Sequence, residues 1–136
     1  VSTLAALAQQ VVSPLEAQTI YAALDARMGE VYWCEYFVEK GVLRATSNET
    51  VIAPTSICVE QGKQAVAIGH GWATYESELR DVVQADRLII KADGLPRAKE
   101  VAQLAVQIVE AGDTVMAEHA LPVYLRDNVA KKKAQQ

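Results

Sequence analysis

Histidine is scarce in this sequence. His70 and His119 are the only two, far apart, and neither belongs to an H-x-x-x-H or H-E-x-x-H pattern. A metal centre needs several nitrogen, sulfur or carboxylate ligands converging on one point, so none is expected. Cysteine is equally sparse: Cys34 and Cys58 form no C-x-x-C pair. Both read as reduced, buried apolar residues of a cytoplasmic protein. No apolar run reaches the roughly 18 residues of a membrane span, and no charged-then-apolar leader is visible, so no membrane contact is expected. Positive charge is also short. Thirteen Lys and Arg face seventeen Asp and Glu, a net charge of -4, which argues against gripping nucleic acid through the chain's own surface.

The 136 residues are 51% hydrophobic and 22% charged, an ordinary globular composition with enough chain to bury one real core. The most informative stretch is Leu24-Asp25-Ala26-Arg27-Met28-Gly29-Glu30-Val31-Tyr32-Trp33. Both flanks are rich in β-branched and aromatic residues, and a short polar segment containing Gly29 divides them. That is a hairpin in which Gly29 takes a positive φ, with Asp25 and Arg27 facing outward at its tip. Such a tip could hold an anion or be a capped turn.

Ser2 caps a first helix whose apolar positions are Leu4, Leu7, Ala8, Val11 and Val12. Residues 1–18 read as a connecting helix from an N-terminal subdomain that this sequence lacks. After Ser13-Pro14 come strands at about Thr19–Leu24 and Glu30–Val38. A turn at Glu39-Lys40-Gly41 leads to a third, more polar strand at about Val42–Val51. Pro54 opens a short helix ending near Glu60-Gln61. Ala65–Ile68 is a buried strand, Tyr75–Leu79 a weak helical segment and Arg87–Ile90 a last strand. The strongest helix is Leu95–Ala111. Val101, Leu104, Ala105, Ile108 and Val109 are expected on its buried face, with Lys99, Glu100, Gln103 and Gln107 outward. The apolar segment Ala120–Arg126 is expected to pack back on the body.

The order β-β-β-α-β-α-β-α, a meander followed by crossover helices, predicts an α/β fold with a mixed sheet. It is the order of ribonuclease-H-like domains, the repeated lobe of actin-like ATPases and sugar kinases. Residues 19–126 form that lobe, and residues 127–136 are a basic tail carrying Lys131-Lys132-Lys133, read as a solvated end. A ribonuclease would need clustered carboxylates to hold two cations. Asp25, Glu30 and Glu35 do not make a convincing cluster. Cys34, mid-strand between Trp33 and Glu35, is a packing residue rather than a nucleophile. Gly69-His70-Gly71-Trp72 follows a buried strand, and its Gly-x-Gly could admit a nucleotide or merely turn the chain. No catalytic group is self-evident, which favours a partner or scaffold over a stand-alone enzyme.

Three segments resemble the TsaB (YeaZ) family of transfer-RNA threonylcarbamoyladenosine biosynthesis proteins. They are Val1–Ala5, Asp25–Tyr32 and Glu118–Ala130, and Gly69–Trp72 is similar to the family's Gly-x-Gly-Trp loop. The resemblance implies one lobe of an actin-like ATPase fold and a non-catalytic scaffold. Such a scaffold pairs with the catalytic subunit TsaD, joined by the ATPase TsaE. It meets transfer RNA only through that complex and forms homodimers without its partner. It also implies degenerate nucleotide-facing loops at Asp25, Arg27, Gly29, Gly69, Gly71 and Trp72. No cofactor is assigned to this chain alone; ATP or ADP would lie at the partner interface. One departure is Lys131, where family members often carry Trp. The competing readings are the nucleotide-binding lobe of a small-molecule kinase of the same fold and, more remotely, a glycoprotease-like peptidase.

Overall fold

The computed structural model describes residues 1–60 and 64–126. Gln61, the Asp127–Ala130 end of the last family segment, and the basic tail with Lys131–Lys133 lie outside the described residues.

Ser2 accepts a hydrogen bond from the Ala5 amide and starts helix α1, Thr3–Gln9. Strand β1 (Gln18–Asp25) then pairs antiparallel with β2 (Val31–Glu39) over their whole length. Lys40 and Gly41 both take positive φ, turning the chain into β3, Val42–Ala45. The expected third strand is in fact two, because β4 (Thr50–Ile52) also pairs with β2. Continuing the β3 register would set Asn48 opposite Trp33, yet Thr50 stands there. Two extra residues therefore bulge from the edge. Ser47 accounts for the interruption: its hydroxyl accepts from the Glu35 amide at 2.9 Å, replacing a backbone partner.

The expected helix from Pro54 is likewise only a single 3₁₀ turn, Pro54–Ser56. Ile57 leaves it in an extended conformation and is buried in the core, which a continued helix would not allow. Strand β5 (Gln64–Ile68) runs parallel to β1, and β6 (Arg87–Lys91) runs parallel to β5. Two short helices, α2 (Gly71–Thr74) and α3 (Glu76–Val82), make the crossover. Helix α4, Ala98–Glu110, follows β6. The sheet order is β3-β2-β1-β5-β6, with β4 also on β2. It is mixed, as the α/β expectation required.

Period-2 alternation divides the core between the two faces of the sheet. Tyr21, Ala23, Val31, Trp33, Ala65 and Ala67 meet Trp72, Leu79 and Val83 from the α2–α3 side. Ile20, Ala22, Cys34, Tyr36 and Val38 meet Leu4, Leu7 and Ala8 of α1 on the other side. Helix α1 is thus half of the core.

Helix α4 has the expected period, but only the centre of its expected face is covered. Leu104 is buried and Ala105 and Ile108 are half-buried, whereas Val101 and Val109 are exposed and Glu100, expected outward, is buried. The helix meets α1 rather than lying across the sheet. Glu100 can be buried because Arg97, one turn earlier, grips both its carboxylate oxygens at 2.8 and 3.1 Å. The Arg97 guanidinium holds this carboxyl below the usual range. Residues 120–125 do not pack back either: Leu121, Val123 and Tyr124 are largely exposed. Cys34 is buried as expected, but Cys58 is exposed, since it lies in the loop beyond the 3₁₀ turn.

Candidate functional site

In open α/β sheets, ligands collect where the parallel strands end, because the loops leaving them fan out at one edge. Here β1, β5 and β6 are mutually parallel. Their carboxyl ends bring together the loop Ala26–Glu30, the turn Gly69-His70 and the segment Ala92–Arg97. Hydrogen bonds tie the three. The Asp25 amide donates to His70 Nδ1 at 3.3 Å, and the Gly69 amide donates to the Lys91 carbonyl at 3.2 Å.

The first loop is tightly wound. Arg27, Met28 and Gly29 have φ of 63°, 56° and 75°. The Asp25 carboxylate accepts from the Arg27 amide at 2.9 Å, and Ala26 and Glu30 close the turn through Ala26 N–H to the Glu30 carbonyl at 2.9 Å. Asp25 and Arg27 also approach as an ion pair at 3.8 Å, with the Arg27 side chain 88% exposed. Arg27 is therefore the outward cation of this edge.

The second turn is built by close packing. A Cβ on Gly69 would stand 2.2 Å from the Ala23 carbonyl oxygen, and one on Gly71 would stand 2.9 Å from the Ala23 carbonyl carbon. The space on the Cβ side of both glycines is filled by Ala23 of β1, so the two glycines are needed for close packing. Trp72 points inward. It is fully buried, its Nε1 donates to the Tyr21 carbonyl at 3.1 Å, and its ring lies 6.0 Å from that of Trp33. Its indole is a core element beneath the loop that the resemblance assigns to the nucleotide-facing side.

Two residues that sequence reasoning left aside join this edge. His70, weighed only as a metal ligand, is the hydrogen-bond acceptor that couples two loops. Arg126 reaches back from the C-terminal segment, with Nη2 at 2.5 Å from Glu30 Oε2. Its position within the Glu118–Ala130 segment was the only available signal, and nothing local named its partner. A cavity of about 400 Å³ opens at the ends of β5 and β6, between Ile68, Lys91, Asp93 and Arg97 and the end of α1. A larger one, about 690 Å³, lies between the start of α1, the Leu24–Tyr32 pair and residues 121–126.

Among the described residues no three His, Cys, Asp or Glu side chains come together as a metal site. His119 sits exposed in a 3₁₀ turn at Ala117–His119. Cys34 lies beneath Ser47, its thiol pushed up by burial, which disfavours the thiolate a nucleophile needs. No described helix is long and apolar enough to cross a membrane.

No protein-family model matches the chain. Individual relatives do. The tRNA threonylcarbamoyladenosine biosynthesis protein TsaB of Escherichia coli is 40% identical, over 98% of this chain and 58% of its own length. TsaB of Haemophilus influenzae is 30% identical over the same shares. Among solved structures, YeaZ from Pseudomonas aeruginosa superposes with a TM-score of 0.78 at 36% identity, covering 92% of this chain and 57% of that one. This chain therefore spans somewhat over half the length of the curated relatives it matches, and over that span its sequence and its fold are similar to those of the TsaB (YeaZ) proteins.

Proposed function

We propose that this chain is the part of a TsaB-type protein that serves as a non-catalytic scaffold in the biosynthesis of threonylcarbamoyladenosine in transfer RNA. The observation that carries the reading is the 40% identity to a TsaB over nearly the whole chain. The chemistry of the edge agrees. Asp25, Arg27 and His70 form an open, polar rim over a packed floor, suited to closure by a second protein. On this reading the partner is a TsaD-like catalytic subunit, a TsaE-like ATPase joins the pair, and transfer RNA is met only in that assembly. Homodimers form when the partner is absent. On the same reading ATP or ADP lies at the interface with the catalytic subunit. The setting is the cytoplasm.

The test is reconstitution. A TsaB-length polypeptide containing this chain is mixed with TsaD, TsaE, a threonylcarbamoyl-adenylate supply and transfer RNA, and modified adenosine is counted. The expected result is no product from this protein alone and product from the mixture only when it is present. Equal product without it overturns the reading. Phosphoryl transfer to a small molecule by this protein alone, with magnesium and ATP, would assign it instead to the kinases of the same fold.

A further inference from the structure

Three successive left-handed residues are an expensive way to build a loop, because only Gly29 takes such a φ without a clash between its Cβ and the backbone. The loop's own hydrogen bonds come from Asp25, Ala26 and Glu30. Its other support is remote. Arg126 Nη2 donates to Glu30 Oε2 at 2.5 Å, to the Ala26 carbonyl at 3.3 Å and to the Arg27 carbonyl at 3.4 Å. Nη1 lies 3.6 Å from Met28 Sδ. One guanidinium thus touches four of the five loop residues, and its side chain is only 13% exposed. Nη2 carries two hydrogens for these three acceptors, so one hydrogen is shared, and the rigid guanidinium plane sets Nη1 beside Met28 at the same time.

The segment leading to Arg126 lacks any comparable hold. Leu121, Val123 and Tyr124 are 76%, 81% and 76% exposed, and the larger cavity lies beneath them. We propose that Arg126 is the positioning residue of the β1–β2 loop. The Arg126–Glu30 joint fastens the C-terminal strap to the site edge, and the left-handed loop conformation is conditional on the strap being docked. Anything that lifts the strap relaxes the loop that carries Arg27. The inference does not depend on the scaffold reading, since it concerns contacts within this chain.

Residue-resolved amide hydrogen exchange tests it, with Arg126→Ala, Arg126→Lys and Glu30→Gln compared with the parent protein. Arg126→Ala is expected to speed exchange of the Ala26 and Glu30 amides at least tenfold, while Val66–Ile68 of β5 stay within twofold. Arg126→Lys recovers part of the protection, because a point charge still meets Glu30. Should Arg126→Ala fail to fold, the isosteric Glu30→Gln carries the same expectation. Loop amides unchanged within twofold, or β5 amides accelerating in step with them, would overturn the proposal.

Discussion

Replacing Gly69 with alanine separates a glycine kept for packing from one kept for a ligand. In this fold the new methyl group would sit 2.2 Å from the Ala23 carbonyl oxygen and 3.2 Å from Leu7 Cδ1. The first obstacle is backbone in the middle of the sheet, so it cannot swing aside. The φ of 107° adds to the penalty, since side-chain-bearing residues rarely adopt it. Backbone strain of about 1–3 kcal/mol and an overpacking cost of about 1–3 kcal/mol combine to roughly 2–6 kcal/mol, centred on about 4. That is a large share of the ~5–15 kcal/mol by which domains are stable. For a chain of this size the melting temperature should fall by roughly 10–20 °C. Gly29→Ala is the matched control: its φ is 75°, but nothing lies within 4 Å of the added carbon. It should cost only about 1–2 kcal/mol. Thermal unfolding followed by circular dichroism reads both. If Gly69→Ala melted within a few degrees of Gly29→Ala, the packing argument would fail. The glycine would then be better explained by a molecule approaching the turn.

Other substitutions follow from the same geometry. Trp72→Phe removes the donor to the Tyr21 carbonyl and opens a void beside Trp33, and should cost about 2–4 kcal/mol in urea unfolding. Arg97→Ala leaves the Glu100 carboxylate without its ion pair, and its loss should shrink as the pH is lowered and that carboxylate is protonated. Glu35 is shifted the opposite way: burial raises its pKa, and Glu60 adds to the rise. Its stabilising share is full at acid pH and is lost as the pH climbs through the raised value. Glu35→Gln should therefore melt higher than the parent at neutral pH, and the gap should close in acid. Val109→Lys on the bare face of α4 should change stability by no more than about 0.5 kcal/mol.

Much of the fold was legible because its signals are local. The β-branched runs of β1 and β2 flank a glycine, β5 and β6 are short apolar runs, and Ser2 marks the start of α1. The split of the third strand was not legible. Val42 to Val51 read as one polar strand, and the break depends on Ser47 reaching across to Glu35, a contact invisible in composition. The period of α4 announced a helix and the centre of its covered face, Leu104, Ala105 and Ile108. How far the cover extends was decided by α1, the neighbour it meets, and by Arg97 making Glu100 acceptable inside. At the site, Asp25, Arg27 and Gly29 lie together at the hairpin tip. The inward direction of Trp72 was not legible, because adjacency to a glycine turn says nothing about which way an indole points.

The edge therefore divides its labour by burial. Gly69, Gly71 and Trp72 are floor, shaped to let the turn after β5 sit against β1. Arg27 is the outward charge, and Asp25 spends its amide on His70 and its carboxylate on the Arg27 amide. A cation 88% exposed at the tip of a pinned loop is placed to meet another surface. A loop held in a costly conformation by a residue from the far end of the chain fits recognition by a large partner. Such a partner reads the position of the whole loop and can be refused when the loop is let go. Arg27→Glu should then leave the fold intact, because a residue so exposed contributes little to it, and, on the scaffold reading proposed above, should weaken pairing with a TsaD-like subunit at least tenfold. A titration with unchanged affinity would move the recognition surface away from this edge.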